Sequence, residues 1–370
     1  MVPAGSDVLA TTSGTPEGPP QRRWRDRRVI AMSVWVALAL LGLLTVGLPT
    51  DPLFAFVWMW SGVIAWNIHR PWRSHLRFVR DWAPILLLLI GYNLSRGLAD
   101  NGVTPHVTEL ITADLWLTGW FTGDVVLTVW LQERFYTPDA VQWWDVVASW
   151  VYFSHFVAAL AIAVVLYLRS RPLWRSFMTR WIFLSMAGLV TYFLYPAAPP
   201  WWAAEYGYLE PVDRISTRGW GAIGLEAAGN VLNVGQAASN PIAAMPSLHT
   251  AFALFVVAFF FPRVRGRWIP VLLLYPLAMT FTLVYSAEHY IIDVLVGWLY
   301  VGLTFLVVGV AERWWARYQR LTRARAADGG EEHASDGPTG SDGPVDSDGD
   351  DGSHTLVGTK GDGIQTARYP

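Results

Sequence analysis

The stretch Ser239–Phe261, SNPIAAMPSLHTAFALFVVAFFF, joins a polar, proline-containing segment directly to an apolar run. Pro246 is tolerated near a helix start and Ser247 can cap one, so the pattern predicts a helix that begins at this boundary. The free backbone N–H groups and positive dipole end of such a helix form a natural seat for an anion. His249 would lie in the first turn, where it could protonate a leaving oxygen. A capped helix with an unrelated histidine is the alternative.

The whole chain has the composition of a membrane protein. Its 370 residues are 53% hydrophobic and 15% charged, with 22 Trp, whereas soluble domains carry about 25% charged residues. The sequence has no Cys, which excludes disulfides and thiolate metal sites. Lys360 is the only lysine, so a phosphate clamp within the membrane part must use Arg. The basic start and apolar run RRWRDRRVIAMSVWVALALLGLLTVGL predict an uncleaved first span.

Runs of about 20 mostly apolar residues predict an all-α bundle of about eight transmembrane helices. The predicted spans are 29–48, 52–69, 82–98, 148–168, 177–195, 247–262, 268–286 and 289–311. The apolar segment 107–131 is different because it carries Asp114 and Asp124. Charged groups are costly at the bilayer centre. We therefore expect this segment to lie at the membrane surface or to re-enter it, rather than to span it.

The arginines orient the predicted bundle. Most of them fall in segments that alternate with the predicted spans and lie on one side, namely 22–28, 70–80, 169–180, 263–267 and 313–325. The opposite side holds only Arg96, Arg134, Arg214 and Arg218. The positive-inside rule then predicts a multi-pass plasma-membrane protein with both termini in the cytoplasm.

Composition also divides the chain into four predicted regions. They are a disordered basic N-terminus (1–28), two accessory transmembrane helices (29–79), a six-helix catalytic membrane core (80–312) and a disordered cytoplasmic tail (313–370). The tail contains SDGPTGSDGPVDSDGDDG, a Ser/Asp/Gly repeat with almost nothing apolar. Its DSDGDDG run does not fit a calcium loop, because Asp351 stands where Gly is needed and Val357 where the bidentate Glu belongs.

A second polar constellation lies in YSAEHYIIDVLVGW, residues 285–298. His289 and Asp293 are four residues apart, so on a helix they share a face and the imidazole can donate to the carboxylate. The free ring nitrogen is then a candidate nucleophile toward phosphorus. The alternative is a solvated histidine beside an aspartate that helps to start a helix. The predicted topology favours a catalytic role for these residues, because it places His249 and His289 at the same outer face, with Asp293 one turn deeper.

The segments NPIAAMPSLHTA and SAEHYIIDVLVG resemble the second and third signature motifs of the type 2 phosphatidic acid phosphatase superfamily. The resemblance implies that His289 attacks phosphorus to form a phosphohistidine, that Asp293 orients it, and that His249 protonates the departing group. It further implies that Ser247 and nearby backbone amides hold the phosphoryl oxygens. No metal or other cofactor is implied.

Within that superfamily, FLYPAAPPWW (193–202), NPIAAMPSLH and HYIIDV are most similar to the inositol phosphorylceramide synthase branch, over about residues 80–312. This resemblance implies a lipid phosphotransferase, inositolphosphotransferase-like, whose partners are the membrane and a phospholipid or lipid-phosphate substrate, not nucleic acid. The predicted topology places its active site on the extracytoplasmic side. A lipid phosphate phosphatase is the alternative, since the two differ only in whether an alcohol or water reaches the phosphohistidine second. A non-catalytic transporter or scaffold is the alternative of another class.

The sequence offers several candidate substrate-binding residues, because the first motif of the phosphatases, which starts with Lys and ends in Arg-Pro, has no counterpart at an outer helix end. Arg96, in YNLSRGLAD, is our predicted phosphate clamp, with a membrane-snorkelling arginine as the alternative. Arg214 and Arg218 compete for that role. Tyr152 and His155, in VYFSHF, are predicted to line the substrate cavity, with ordinary packing as the alternative.

Overall fold

The structure, a computed structural model, describes the backbone of residues 21–45, 52–100, 102–237 and 239–335, and the side chains of residues 26–42, 57–92, 94, 102–237 and 239–323. Within this part of the chain it contains α-helices, two short 3-10 turns and no β-strand. The α-helices are α1 (Gln21–Thr45), α2 (Pro52–Trp66), α3 (Trp72–Asp100), α4 (Thr108–Thr122), α5 (Leu127–Phe135), α6 (Trp143–Arg169), α7 (Arg171–Leu194), α8 (Pro200–Glu205), α9 (Gly219–Ala222), α10 (Glu226–Ala237), α11 (Leu248–Phe260), α12 (Ile269–Tyr285) and α13 (Ile291–Ser335).

The predicted all-α membrane bundle is confirmed. Each of the eight predicted spans falls on a helix, namely α1, α2, α3, α6, α7, α11, α12 and α13. Among the described residues, four helical stretches are long and apolar enough to cross a membrane: Trp143–Arg169, Arg171–Leu194, Gly266–Tyr285 and Ile291–Arg323. Val57–Trp66 and Leu248–Arg263 are shorter apolar helices. The chain is therefore a polytopic membrane protein.

Helix ends differ from the prediction in three places. α13 continues to Ser335, through residues assigned from composition to a disordered tail. The residues after Glu312 are rich in Arg and Ala, which are strong helix formers, so the helix does not stop where the apolar run stops. α1 and α3 likewise begin at Gln21 and Trp72, inside basic segments. Residues 336–370, the rest of the predicted tail, and residues 1–20 lie outside the described residues.

The segment 107–131 does not form a span, as predicted. It folds as α4, of 15 residues, and the start of α5, of 9 residues, and both are shorter than the roughly 20 residues that a membrane crossing needs. The chain reverses between them at Gly123 and Asp124, whose φ angles are 76° and 62°. Gly adopts such a left-handed conformation without steric cost, and Asp tolerates it better than most residues.

Aromatic side chains form much of the core between the described helices. Phe177 of α7 contacts Phe255 and Phe259 of α11, with ring centroids 4.9 and 5.1 Å apart. In the same cluster, the ring centroids of Trp82, in α3, and Trp174, in α7, are 6.1 Å apart. Such pairs add to the apolar area that each ring buries. The core therefore fixes α11 against α7, and α11 begins with the candidate catalytic motif.

Short connections place the polar motifs at one end of the bundle. A single residue, Ser170, links α6 to α7, and the turn 261–268 links α11 to α12. Because consecutive helices joined in this way run in opposite directions, the starts of α6, α11 and α13 lie at one end. The Arg-containing connections 169–171 and 263–267 lie at the other end. His249 and His289 are both at the first of these ends.

Candidate active site

The two polar motifs are joined through their backbones. The backbone N–H of Ser247 donates to the carbonyl oxygen of Asp293, with an N···O distance of 3.0 Å. A Cβ at Gly297, one turn further along α13, would lie 2.6 Å from the carbonyl oxygen of Ser247. Because a side chain at this position would collide with backbone, glycine allows α13 to approach the start of α11. Ser247 also caps α11, since its side chain accepts from the Thr250 N–H.

Two imidazoles meet at this junction. His289 Nε2 lies 3.3 Å from His249 Nδ1, and His289 Nδ1 lies 3.4 Å from Asp293 Oδ2. One tautomer fits both contacts: His289 carries its proton on Nδ1, facing the carboxylate, and its Nε2 accepts from the Nδ1–H of His249. The 3.4 Å contact is longer than a well-formed hydrogen bond. The two motifs thus converge as the sequence predicted.

Asp293 lies in the first turn of α13, where a hydrogen bond holds one of its two carboxylate oxygens. Its side chain is fully buried, and its Oδ2 also accepts a 3.0 Å hydrogen bond from the backbone N–H of Tyr290. A carboxylate in the first turn of a helix interacts favourably with the helix dipole. This arrangement fixes the face that the carboxylate presents to His289.

One face of α6 packs against His249. The ring of Tyr152 stacks on His249 with centroids 5.4 Å apart, and the ring of His155 lies 4.1 Å from it. The ring of His155 also stacks on Phe252, with centroids 5.2 Å apart. Among the described residues, His155 Nδ1 is buried without a hydrogen-bond partner. Both residues that the sequence placed at a substrate cavity therefore contact the candidate general acid.

The three candidate phosphate-binding arginines have different surroundings. Arg96 lies in α3, but its side chain is outside the described residues. Arg218 lies 3.6 Å from Asp145 and its guanidinium covers the ring of Tyr136, so it belongs to a separate cluster. Of the three, only Arg214 is shown next to the histidine motif, because it pairs with Glu288.

Arg214 forms a two-pronged ion pair with Glu288, the residue before His289. Its Nε donates to Oε1 at 2.9 Å and its Nη2 donates to Oε2 at 2.8 Å. Its guanidinium also lies over the ring of Trp201, 4.7 Å from the centroid. Burial opposes the charge of Arg214, but the ion pair with Glu288 more than offsets this and raises the pKa of Arg214. The arginine is thus permanently charged beside the candidate nucleophile.

Glu288 and two of its partners, Ser216 and Gln236, were not predicted from the sequence. Besides Arg214, Glu288 Oε1 accepts from Ser216 Oγ at 2.7 Å and from Gln236 Nε2 at 3.1 Å. Gln236 Nε2 also contacts Tyr152 Oη at 2.9 Å. The only local signal was a carboxylate directly before a histidine. Ser216 and Gln236 lie in a long connecting segment, where no periodicity marks them.

Asp114 is a second residue whose role the sequence analysis missed. It is completely buried, and its two oxygens accept from the backbone N–H groups of Ile291, at 2.8 Å, and Leu127, at 3.1 Å. Burial raises the pKa of Asp114 against the opposing effect of these two hydrogen bonds. Asp114 therefore ties the α4–α5 turn to the first residue of α13, two positions after His289. Its charge was visible in the sequence, but the partner was not.

Comparisons with known proteins agree with this arrangement. The model of the PAP2 superfamily matches residues 125–307, which include both histidine motifs. The chain is 31% identical over 238 residues to a phosphoinositol dihydroceramide synthase of Bacteroides thetaiotaomicron, covering 58% of this chain and 71% of that protein. It is 29% identical over 158 residues to an inositol phosphorylceramide synthase of Candida albicans, covering 40% of this chain and 32% of that protein.

No solved structure matches the chain significantly. The assignment therefore depends on the family model and on the Bacteroides relative, whose length the chain mostly covers. On this evidence, the chain belongs to the PAP2 superfamily.

Proposed function

We propose that the chain is a membrane lipid phosphotransferase that moves a phosphate-linked head group from a phospholipid to a lipid alcohol. The observation that carries the proposal is the convergence of His249, His289 and Asp293 at the junction of α11 and α13. The names of the two relatives, both synthases that join phosphoinositol to a ceramide-type lipid, support this class of donor and acceptor.

In the first proposed step, His289 Nε2 attacks the phosphorus of the donor lipid. A P–N bond forms, the P–O bond to the leaving alcohol breaks, and protonated His249 gives its Nδ1 proton to the leaving oxygen. Asp293, 3.4 Å from His289 Nδ1, stabilises the positive charge that develops on the ring. Because the two imidazoles now touch, substrate binding must replace their 3.3 Å contact with the phosphoryl group.

In the second proposed step, the acceptor hydroxyl attacks the same phosphorus. The P–N bond breaks, and His249, now neutral, takes the proton of the hydroxyl and returns to its acid form. The free N–H groups at the start of α11, where Ser247 is the cap, would hold phosphoryl oxygens. Arg214 is the best-supported arginine for charge stabilisation, because Glu288 holds it beside the nucleophile; Arg96 stays a prediction.

The site is proposed to face away from the cytoplasm. The Arg-containing connections 169–171 and 263–267 lie at the end of the bundle opposite the histidines. By the positive-inside rule, that end faces the cytoplasm, together with both termini. The division into two accessory helices (29–79) and a catalytic core (80–312) is part of the same proposal.

A direct assay tests the proposed function. Purified full-length protein is given vesicles that contain phosphatidylinositol and a ceramide, and products are followed with and without the acceptor. The proposal expects a new inositol phospholipid that depends on ceramide and is absent with His289→Ala. Release of free phosphate or inositol phosphate alone would indicate a hydrolase instead. Equal product from wild type and His289→Ala would refute both enzymatic functions.

A further inference from the structure

A compact polar cluster borders the histidine pair and is not used by the chemistry proposed above, apart from Arg214. Its members come from α6, from the segment 214–216, from α10 and from the residue before His289. They are Tyr152, Arg214, Ser216, Gln236 and Glu288. Tyr152, Ser216 and Glu288 are buried, whereas 26% of the Arg214 side chain remains exposed. Part of the cluster is therefore open to a ligand.

The orientation of the Gln236 amide follows from its neighbours. Its nitrogen lies 3.1 Å from the Glu288 carboxylate and 2.7 Å from Ser216 Oγ. The opposite orientation would place an amide oxygen against that carboxylate, which is electrostatically unfavourable. Ser216 gives its only proton to Glu288 at 2.7 Å, so its oxygen and the carboxylate share one amide N–H, and the second amide N–H donates to Tyr152 Oη. Gln236 therefore uses its nitrogen as the donor in this cluster.

With this orientation, the cluster keeps unpaired hydrogen-bond donors and an unpaired acceptor. Within the part of the chain that the structure describes, Gln236 Oε1 receives no donor and Arg214 Nη1 has no acceptor. The Tyr152 hydroxyl accepts from Gln236, but its own proton has no acceptor there. A buried or half-buried polar group of this kind costs free energy unless a ligand or water pairs with it. The cluster thus offers two donors and one acceptor next to His249.

The charge of the cluster limits the chemical class of ligand that it can bind. The two-pronged pair of Arg214 with Glu288 makes it neutral overall. A cationic head group would meet the guanidinium, which is the partly exposed member of the pair. A neutral polyol carries hydroxyls that both donate and accept, which matches the unused groups. A site of this kind discriminates strongly against an analogue without hydroxyls, since its polar groups are then left unpaired.

We infer that Tyr152, Gln236 and Arg214 form the subsite for a neutral polyhydroxyl head group, such as inositol, linked to the phosphate that His289 attacks. This inference deepens the proposed function and rests on it for the position of the phosphate. Glu288 and Ser216 position Arg214 and Gln236 and do not touch the head group. The hydroxyls of the head group pair with Tyr152 Oη and Gln236 Oε1.

The test measures binding of soluble head-group phosphates to the full-length chain in detergent by calorimetry. The ligands are myo-inositol 1-phosphate, phosphocholine and free myo-inositol, and the variants are Tyr152→Phe and Gln236→Leu. The matched control is Tyr275→Phe, which removes a tyrosine hydroxyl that bonds Ser154 instead, at 2.9 Å. Thermal unfolding of each variant is measured in parallel, so that lost binding can be separated from lost folding.

We expect wild type to prefer myo-inositol 1-phosphate over phosphocholine by about tenfold or more. Each of the two variants should lose most of this preference through weaker inositol phosphate binding, with phosphocholine binding unchanged. Tyr275→Phe should behave like wild type. Free myo-inositol should bind more weakly than its phosphate.

Four results would overturn the inference. They are equal wild-type affinity for the two phosphates, a parallel loss of both in the variants, the same loss in Tyr275→Phe, and free inositol that binds as tightly as its phosphate. The turnover assay separates this from the proposed function. A hydroxyl-dependent preference without turnover would refute the phosphotransferase but keep the subsite, whereas turnover without the preference would do the reverse.

Discussion

At the scale of single residues, the site depends on side chains that orient other side chains. The His289 ring contacts Asp293 through Nδ1 and His249 through Nε2. Asp114 acts one step further away, because it binds the backbone N–H of Ile291 at the start of the helix that carries Asp293. A small shift of that helix end would change the distance between His289 and its carboxylate. Positioning errors of this size are costly for catalysis.

Asp114→Asn is predicted to lower kcat by about tenfold or more with little change in KM. An asparagine has one acceptor oxygen, so one of the N–H groups of Leu127 and Ile291 would face an amide N–H instead. Steady-state kinetics in vesicles measures kcat and KM separately. Asp124→Asn is the matched control, because Asp124 is exposed in the same segment. Equal effects of the two substitutions would show that Asp114 has no positioning role.

At the scale of helices, the close contact between α11 and α13 decides whether the motifs meet. It consists of the hydrogen bond from Ser247 N–H to the Asp293 carbonyl and the space left by Gly297. The contact is made between backbones, so neighbouring side chains cannot easily relax to relieve an added methyl group. The spacing of His249 from His289 therefore depends on one glycine.

Gly297→Ala is predicted to reduce activity by about 100-fold or more, because its Cβ would lie 2.6 Å from the Ser247 carbonyl oxygen and push the helices apart. Gly302→Ala, on the same helix, should leave activity near wild type, since nothing lies within 4 Å of the added Cβ. Phosphotransfer and thermal unfolding are measured for both. Full activity of Gly297→Ala would contradict the structure at the junction.

Helices and short motifs were also the features that the sequence predicted best. Apolar length placed a helix at each expected span, and the i, i+4 spacing placed His289 beside Asp293. The pairing of Glu288 with Arg214 and Gln236 could not be predicted, because these partners lie 74 and 52 residues away from it along the chain. Such contacts follow from how a long connection folds over the bundle, and no local periodicity encodes them. Asp114 shows the same limit.

At the scale of the whole molecule, the arginine distribution predicts the orientation of the chain in the membrane. The chain has no native Cys, so single cysteines can be introduced as specific labels. A membrane-impermeant maleimide added to intact cells should label Glu210→Cys, in the segment between α8 and α9, but not Ser341→Cys. The latter should react only after permeabilisation. Labelling of Ser341→Cys from outside would reverse the proposed orientation.

The most direct test of the central claim is detection of phosphorus on His289. Purified protein is mixed with a phosphoinositide labelled with ³²P at its phosphodiester, without acceptor lipid, and quenched in alkali within milliseconds to seconds. The account predicts an acid-labile, alkali-stable label on the peptide that contains His289, absent from His289→Ala and lost when ceramide is added. Normal turnover with no label on that peptide, or a label that remains in His289→Ala, would contradict it.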